Sequence, residues 1–242
     1  MRAFLGCDIG KTRLENQDSI RAESFPDGVF AVVCDGMGGM QNGSAASKIA
    51  VSAAEDFFSA AYASDLDAEA ICEILRLCAT EANQKVYQAA MRIEMRARMG
   101  TTMVGAFARD DLLCLVNIGD SRAYLLPAEG PLRQLTIDHT VVQLLYEQGM
   151  ITAEERQTHA RRNELLRAVG VSSRVLSDTQ ALPLASGDRI LLCSDGLYNM
   201  VTEERLAEII RTVPPEQVPE ACIAEANANG GTDNISVILL TA

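Results

Sequence analysis

The stretch Val29-Phe30-Ala31-Val32-Val33-Cys34-Asp35-Gly36-Met37-Gly38-Gly39 carries an apolar, strand-like run into an aspartate followed by glycine. Beyond it the hydrophobic period changes. Ala46, Ile49, Ala50, Ala53, Ala54, Phe57, Phe58 and Ala61 recur at i, i+3 and i+4, which predicts an amphipathic helix. Ile71, Ile74, Leu75, Cys78, Ala82, Val86, Ala89 and Ile93 predict a second, with Glu73, Arg76, Glu81, Lys85 and Arg92 on its solvated side. Upstream, strand-like runs cover 3–9 and 18–23, and Pro26-Asp27-Gly28 makes a turn. Downstream, runs at 101–108 and 112–117 read as a hairpin closed by Arg109-Asp110-Asp111, with another strand at 121–126. A polar, helix-rich stretch spans 138–170. Strands return at 178–182 and 188–194, helices follow at 202–212 and 215–227, and Ile235 opens a closing strand.

Strands come in clusters and helices in pairs, without the strict alternation of a parallel sheet. The pattern predicts an α+β fold of mainly antiparallel sheets, with helix pairs covering both faces of a sandwich. No linker or internal repeat divides 1–242, so the chain reads as one domain.

Apolar residues make up 48% of the chain, an ordinary globular value. The formal net charge of -12 argues against a nucleic-acid backbone as partner, because phosphate chains need a basic stripe. It leaves phosphorylated substrates open, since bound cations reverse the sign of a site locally. The apolar stretch before Asp8 is too short for a signal-peptide core, and no run approaches the ~20 residues of a membrane helix. A soluble, cytoplasmic monomer is expected. The seven cysteines are odd in number and form no C-x-x-C pair. Cys34, Cys114 and Cys193 sit in apolar runs, which predicts buried, reduced thiols.

The Asp35-Gly36 junction has counterparts. Leu191-Leu192-Cys193-Ser194-Asp195-Gly196-Leu197 repeats its form, Asn117-Ile118-Gly119-Asp120-Ser121-Arg122 places another carboxylate, and Asp233-Asn234 opens the closing strand. Any one of these reads equally well as a turn residue. Four together predict carboxylates converging from strand ends, an oxygen cluster suited to a hard divalent cation. Two other patterns compete. Cys7 and Arg13 have the C-x₅-R spacing of cysteine phosphatases, but that chemistry needs a loop opening a helix, and Arg13 leads into another strand-like run. Gly10-Lys11-Thr12 resembles the end of a nucleotide-binding loop, but Gly6 is one residue too close and no helix follows.

Seven stretches, in order, resemble the metal-dependent Ser/Thr protein phosphatases of the PPM, or PP2C, type in their compact bacterial form. They are Arg13-Leu14-Glu15-Asn16-Gln17-Asp18-Ser19, Asp35-Gly36-Met37-Gly38-Gly39, Gly100-Thr101-Thr102, the Asn117 to Tyr124 run, Leu135-Thr136-Ile137-Asp138-His139-Thr140, Ser194-Asp195-Gly196-Leu197 and Asp233-Asn234-Ile235-Ser236. The resemblance implies a four-layer α-β-β-α sandwich and a dinuclear Mn²⁺ or Mg²⁺ centre. It implies that Asp35 bridges the two ions, that the Gly36 carbonyl binds one, and that Asp195 and Asp233 bind the other. Asp120 would join Asp195 at a weaker third ion. Asp18 would hold water beside the metals, and Arg13 would grip the substrate phosphate. Gly100-Thr101-Thr102 would pack beside the metals. Arginine suits the phosphate role because its planar fork matches two phosphoryl oxygens.

Met37 stands where eukaryotic relatives place a histidine proposed as general acid. The proton for the departing oxygen must then come from water at the metals or from His139. The stretch 138–170, with Glu147, Glu154, Glu155, Arg156, Arg161 and Arg162, corresponds to the family's flap subdomain, or else is a solvated cap. The implied activity is hydrolysis of phosphoserine and phosphothreonine on the protein substrates of a Ser/Thr kinase. A switch phosphatase acting on a sigma-factor regulator and a non-catalytic adaptor of the same fold are the alternatives.

Overall fold

The computed structural model describes residues 1–38, 42–92 and 99–241. Gly39 and Ile93, both used above, lie outside the described residues. The first sheet contains β1 (Arg2–Asp8), β7 (Arg122–Leu126), β8 (Arg133–Gln134), β10 (Arg189–Cys193) and β11 (Ile235–Thr241), in the order β1-β11-β10-β7-β8. The second contains β2 (Asp18–Ser24), β3 (Gly28–Met37), β5 (Met103–Arg109), β6 (Leu112–Ile118) and β9 (Asp178–Pro183), in the order β2-β3-β5-β6-β9. The short β4 (Gly100–Thr101) pairs with the end of β3. Every strand pair is antiparallel.

Alternation along β3 explains the layering. Val29, Ala31 and Val33 face the other sheet, where they meet Ala123, Ile190, Leu192, Ile238 and Leu240. Phe30, Val32 and Cys34 face the opposite way, onto α1 (Asn42–Ala61) and α2 (Ala68–Arg92). A strand buried on both faces reads as one continuous apolar run, as 29–34 does. Phe58 of α1 stacks on Phe30 with ring centroids 4.5 Å apart and lies 5.2 Å from Phe107 of β5. On the far side, α6 (Glu203–Thr212) and α7 (Val218–Ala228) cover the first sheet through Leu206, Ile210, Val218 and Cys222. The result is the expected α-β-β-α sandwich.

The differences from expectation are local. The strand predicted to end at Cys34 runs on to Met37, because Gly36 and Met37 pair with Thr101 and Gly100. The two-residue strands β4 and β8 are too short to show a period. Within 138–170 only α3 (Val141–Glu147) and α4 (Ala153–Thr158) are helical. The helix predicted from Pro215 starts as a 3-10 turn at Pro215–Gln217 and becomes α-helical at Val218. Pro219, in the first turn of α7, lacks the N–H that a helix start leaves unused. All seven cysteines are free; Cys34, Cys114 and Cys193 are buried as expected, whereas Cys7 is exposed. No described helix is long and apolar enough to cross a membrane.

Candidate active site

Asp35 sits inside β3, opposite Asp18 at the head of β2. Its main chain is held from the β4 side. The Asp35 N–H donates to Thr102 Oγ1 at 2.9 Å, and its carbonyl accepts from the Thr102 N–H at 2.8 Å and the Thr101 hydroxyl at 2.7 Å. Gly100-Thr101-Thr102 is therefore a brace beside this carboxylate, as the motif implied. Gly36 follows because the chain is crowded there: a Cβ would lie 2.1 Å from the Gly43 carbonyl oxygen and 2.5 Å from that of Gln17.

Asp18 is buried, and its Oδ2 accepts from the Ser194 hydroxyl at 2.7 Å. Ser194 closes β10, and its Oγ also accepts from the Ser236 N–H of β11 at 3.0 Å. One serine thus joins the two sheets beneath the site. Directly after it, Asp195 opens α5 (Asp195–Tyr198), with Oδ2 accepting from Asn199 at 3.2 Å. Tyr198, at the other end of that turn, donates its hydroxyl to the Asp120 carbonyl at 3.0 Å. Arg122 lies over the Tyr198 ring, 3.6 Å from its centroid, and grips Asp138 with two N–H groups at 2.7 and 2.9 Å.

Asp233 and Asn234 precede β11. The Asp233 Oδ2 accepts from Arg13 Nη2 at 2.6 Å. The Asn234 side chain fastens the 9–17 loop, accepting from the Gln17 N–H at 2.9 Å and donating to the Ile9 and Glu15 carbonyls at 2.9 and 3.1 Å. Gly10, at φ +78, passes the Asp233 carbonyl so closely that a Cβ would stand 2.2 Å from its oxygen. That contact, rather than a nucleotide, explains Gly10-Lys11-Thr12.

Arg13, Asp35, Asp120, Asp195 and Asp233 line one pocket together with Gly36 and Met37. Asp18 lies beneath it. Asp35, Asp120 and Asp195 are walled in by protein yet keep some surface open to the pocket. Burial, then repulsion from Asp18 and Asp195, raises Asp35 well above the usual carboxylate range. Burial, then Asp120 and Asp233, does the same to Asp195. Burial is also the chief cause that lifts Asp18 to about 6 and, helped by Asp138, Asp120 to about 7. Oδ1 of Asp18 and Oδ1 of Asp195 are buried without a partner. Massed carboxylates, orphaned oxygens and an absence of thiolate or imidazole in the lining make a donor set that fits small, hard cations. Among the described residues no three acidic, histidine or cysteine side chains close around one point. That openness leaves room for ions that keep several waters in their shells.

The competing nucleophile is poorly placed. Cys7 belongs to β1, and its Sγ is within 3.2 Å of Ser236 Oγ and accepts from Asn16 at 3.1 Å. Desolvation, with Asp18 and Asp8 nearby, raises the thiol pKa even though part of the residue is exposed, so the thiolate is disfavoured. His139 is buried outside the pocket lining. Its Nδ1 accepts from the Gly119 N–H at 3.1 Å, so the ring proton sits on Nε2, 3.0 Å from Asp178. Burial lowers its pKa, and the ring is neutral. Sequence reasoning missed Ser194, Tyr198 and the fastening role of Asn234. Their partners lie far away in sequence, and no local period marks them.

Two antiparallel sheets between helix pairs, with carboxylates and an arginine at one mouth, answer the description of the sandwich phosphatases. The chain belongs to the protein phosphatase 2C family, whose model matches residues 10–225. It is 39% identical over 243 residues to the serine/threonine phosphatase stp of Listeria monocytogenes, covering 99% of this chain and 95% of that one. It is 32% identical over 244 residues to the protein phosphatase PhpP of Streptococcus pneumoniae, covering 100% and 97%. Among solved structures, it resembles the serine/threonine phosphatase Stp1 from Staphylococcus aureus with a TM-score of 0.91 at 30% identity, covering 99% and 94%. It also resembles the catalytic domain of the phosphatase PstP in complex with two manganese ions, with a TM-score of 0.84 at 30% identity, covering 98% and 96%. The chain spans nearly the whole length of the stp and PhpP relatives, which are bacterial phosphatases, as the motifs led us to expect.

Proposed function

We propose that the chain hydrolyses phosphoserine and phosphothreonine on proteins, using water and Mn²⁺ or Mg²⁺, without a covalent intermediate. One observation carries this reading: Asp35, Asp120, Asp195, Asp233 and Arg13, from well-separated parts of the sequence, line a single pocket. Asp35 and the Gly36 carbonyl would hold one ion, and Asp35, Asp195 and Asp233 the other. Asp120 and Asp195 would take a third, weaker ion. Once bound, such ions acidify a shared water and neutralise charge on the phosphoryl group.

The chain's own residues do the rest. Arg13 spends one N–H on Asp233 and keeps others to bind two phosphoryl oxygens. Asp18, fixed at Oδ2 by Ser194 beneath the pocket, keeps Oδ1 to hold water beside the ions. His139 takes no part, because both ring nitrogens are engaged away from the pocket. With Met37 in the pocket wall, the departing oxygen takes its proton from water. The segment 138–170 acts as the flap, bringing Asn163 and Leu165 to the mouth. The substrates are products of a Ser/Thr kinase in the same cell, and the enzyme works as a cytoplasmic monomer.

Hydrolysis of a phosphothreonine peptide with Mn²⁺, with EDTA, and by Asp195→Ala tests the reading. Activity with Mn²⁺ that is lost in the other two arms is expected. Activity that survives EDTA would overturn it and return attention to Cys7.

A further inference from the structure

Leu14 is the most exposed large apolar side chain among the described residues, at 94%. A lone exposed leucine is ordinary. Three further observations set this one apart. It is the immediate neighbour of Arg13 and lines the same pocket as the carboxylates. It shares that lining with two other apolar side chains, Met37 and Leu165. And its exposure does not come from slack chain. Lys11 donates its N–H to the Gly231 carbonyl at 2.7 Å, Thr12 its hydroxyl to Thr232 at 2.7 Å, and Asn234 holds the Glu15 carbonyl. The backbone on both sides of Leu14 is anchored to the Asp233 turn, so the side chain is presented in a fixed place beside the phosphate-binding arginine.

We infer that Leu14, with Leu165 across the mouth, is a specificity-determining residue that receives an apolar side chain next to the phosphorylated serine or threonine of the substrate. This rests on the phosphatase reading above, which places the phosphate at Arg13. A residue adjacent to the phosphoresidue reaches only a few ångströms along an extended chain, which is the distance from Arg13 to its neighbour. Covering Leu14 with an apolar side chain removes apolar surface from water, whereas an uncharged polar side chain laid on it would lose hydration without gaining a hydrogen bond. The groove on the other side of Asp120 and Asp195 is different. It is lined by Arg122, Arg156 and Arg162 together with Asp138, Glu203 and Glu204. The two flanks of the phosphoresidue therefore meet different chemistry: Leu14 and Leu165 with Glu15 and Glu164 beside them on one, arginines together with glutamates on the other.

The test uses matched phosphothreonine peptides that carry leucine or asparagine, which are similar in size and both uncharged, at each position flanking the phosphoresidue. Wild-type protein, Leu14→Ser and Leu14→Met are compared with Mn²⁺ present. At one flank, wild type should favour leucine over asparagine by about tenfold in kcat/KM, mainly through KM, the size expected for covering one exposed leucine. Leu14→Ser should bring that ratio close to one, and Leu14→Met should restore it. Equal rates for all wild-type peptides would overturn the inference. So would a Leu14→Ser variant that slows every peptide alike with its ratio intact. Fluorescence anisotropy of the same labelled peptides reads the preference without turnover. Preferential binding of the leucine peptide that Leu14→Ser abolishes would support the rim even if no peptide were hydrolysed, an outcome that would count against the phosphatase reading alone.

Discussion

At the scale of single residues, the site depends on places where no larger atom fits. Gly36 is wedged between the carbonyls of Gly43 and Gln17, both backbone groups that cannot rotate away. Gly36→Ala should lower stability by about 1–3 kcal/mol, as overpacking does, and should displace Asp35 with it. Urea denaturation and peptide hydrolysis measured together would check this. A variant as stable as wild type would mean that the strand end yields, and the crowding would then have no functional weight. The sequence pointed to this glycine as a partner of Asp35. It did not reveal the Gly43 contact, because α1 returns to the strand only in three dimensions. Asp18 shows the same division. Its place in the Arg13 to Asp18 motif was legible, whereas the Ser194 hydroxyl that fixes it comes from the other sheet.

At the scale of elements, the four-residue helix α5 sets the spacing between Asp195 and Asp120. Tyr198 spans that gap from its C-terminal end, and Arg122 covers the ring from above. Tyr198→Phe keeps the ring and removes only the hydroxyl's bond to the Asp120 carbonyl. If these two aspartates share an ion, calorimetric titration with Mn²⁺ should show the weakest site losing about tenfold in affinity, the lower end for a supporting contact. Unchanged binding would show that the Asp120 turn holds itself. Periodicity made the long elements legible: α1 and α2 came from their apolar stripes, and β3 from its run of apolar residues. It ran Thr101 into one strand with 103–108, whereas β4 and β5 are separate and β4 pairs with Gly36 and Met37, and it could not reach β8, which has too few residues to alternate. Asp35 therefore read as a strand-end residue when it is an internal one.

At the scale of the whole molecule, the clustered carboxylates oppose the fold that gathers them. Asp18 and Asp120 are raised to about 6 and about 7, with desolvation the larger cause in each. In the unfolded chain both would titrate near the ordinary aspartate value of about 3.9. Between those limits the folded state binds more protons, so the metal-free protein should lose stability as pH rises through that window. Urea midpoints in EDTA should fall from about pH 5 to about pH 8, and saturating Mn²⁺ should flatten the slope by binding the folded state. A midpoint that rises over the same range in EDTA would contradict the electrostatics of the site. Most of the architecture was legible at this scale too, because strands and helices alternate in blocks. The order of strands was not, and one detail of that order matters for biosynthesis. β11 follows the other ten strands in sequence yet lies between β1 and β10, and Asp233 and Asn234 immediately precede it. A nascent polypeptide still holding these residues inside the ribosome has two unpaired strand edges, an unfastened Arg13 loop and a pocket without Asp233. A ribosome-bound chain whose β11 has not yet emerged should therefore lack the assembled pocket, and binding of Mn²⁺ by stalled nascent chains of increasing length would show where it forms.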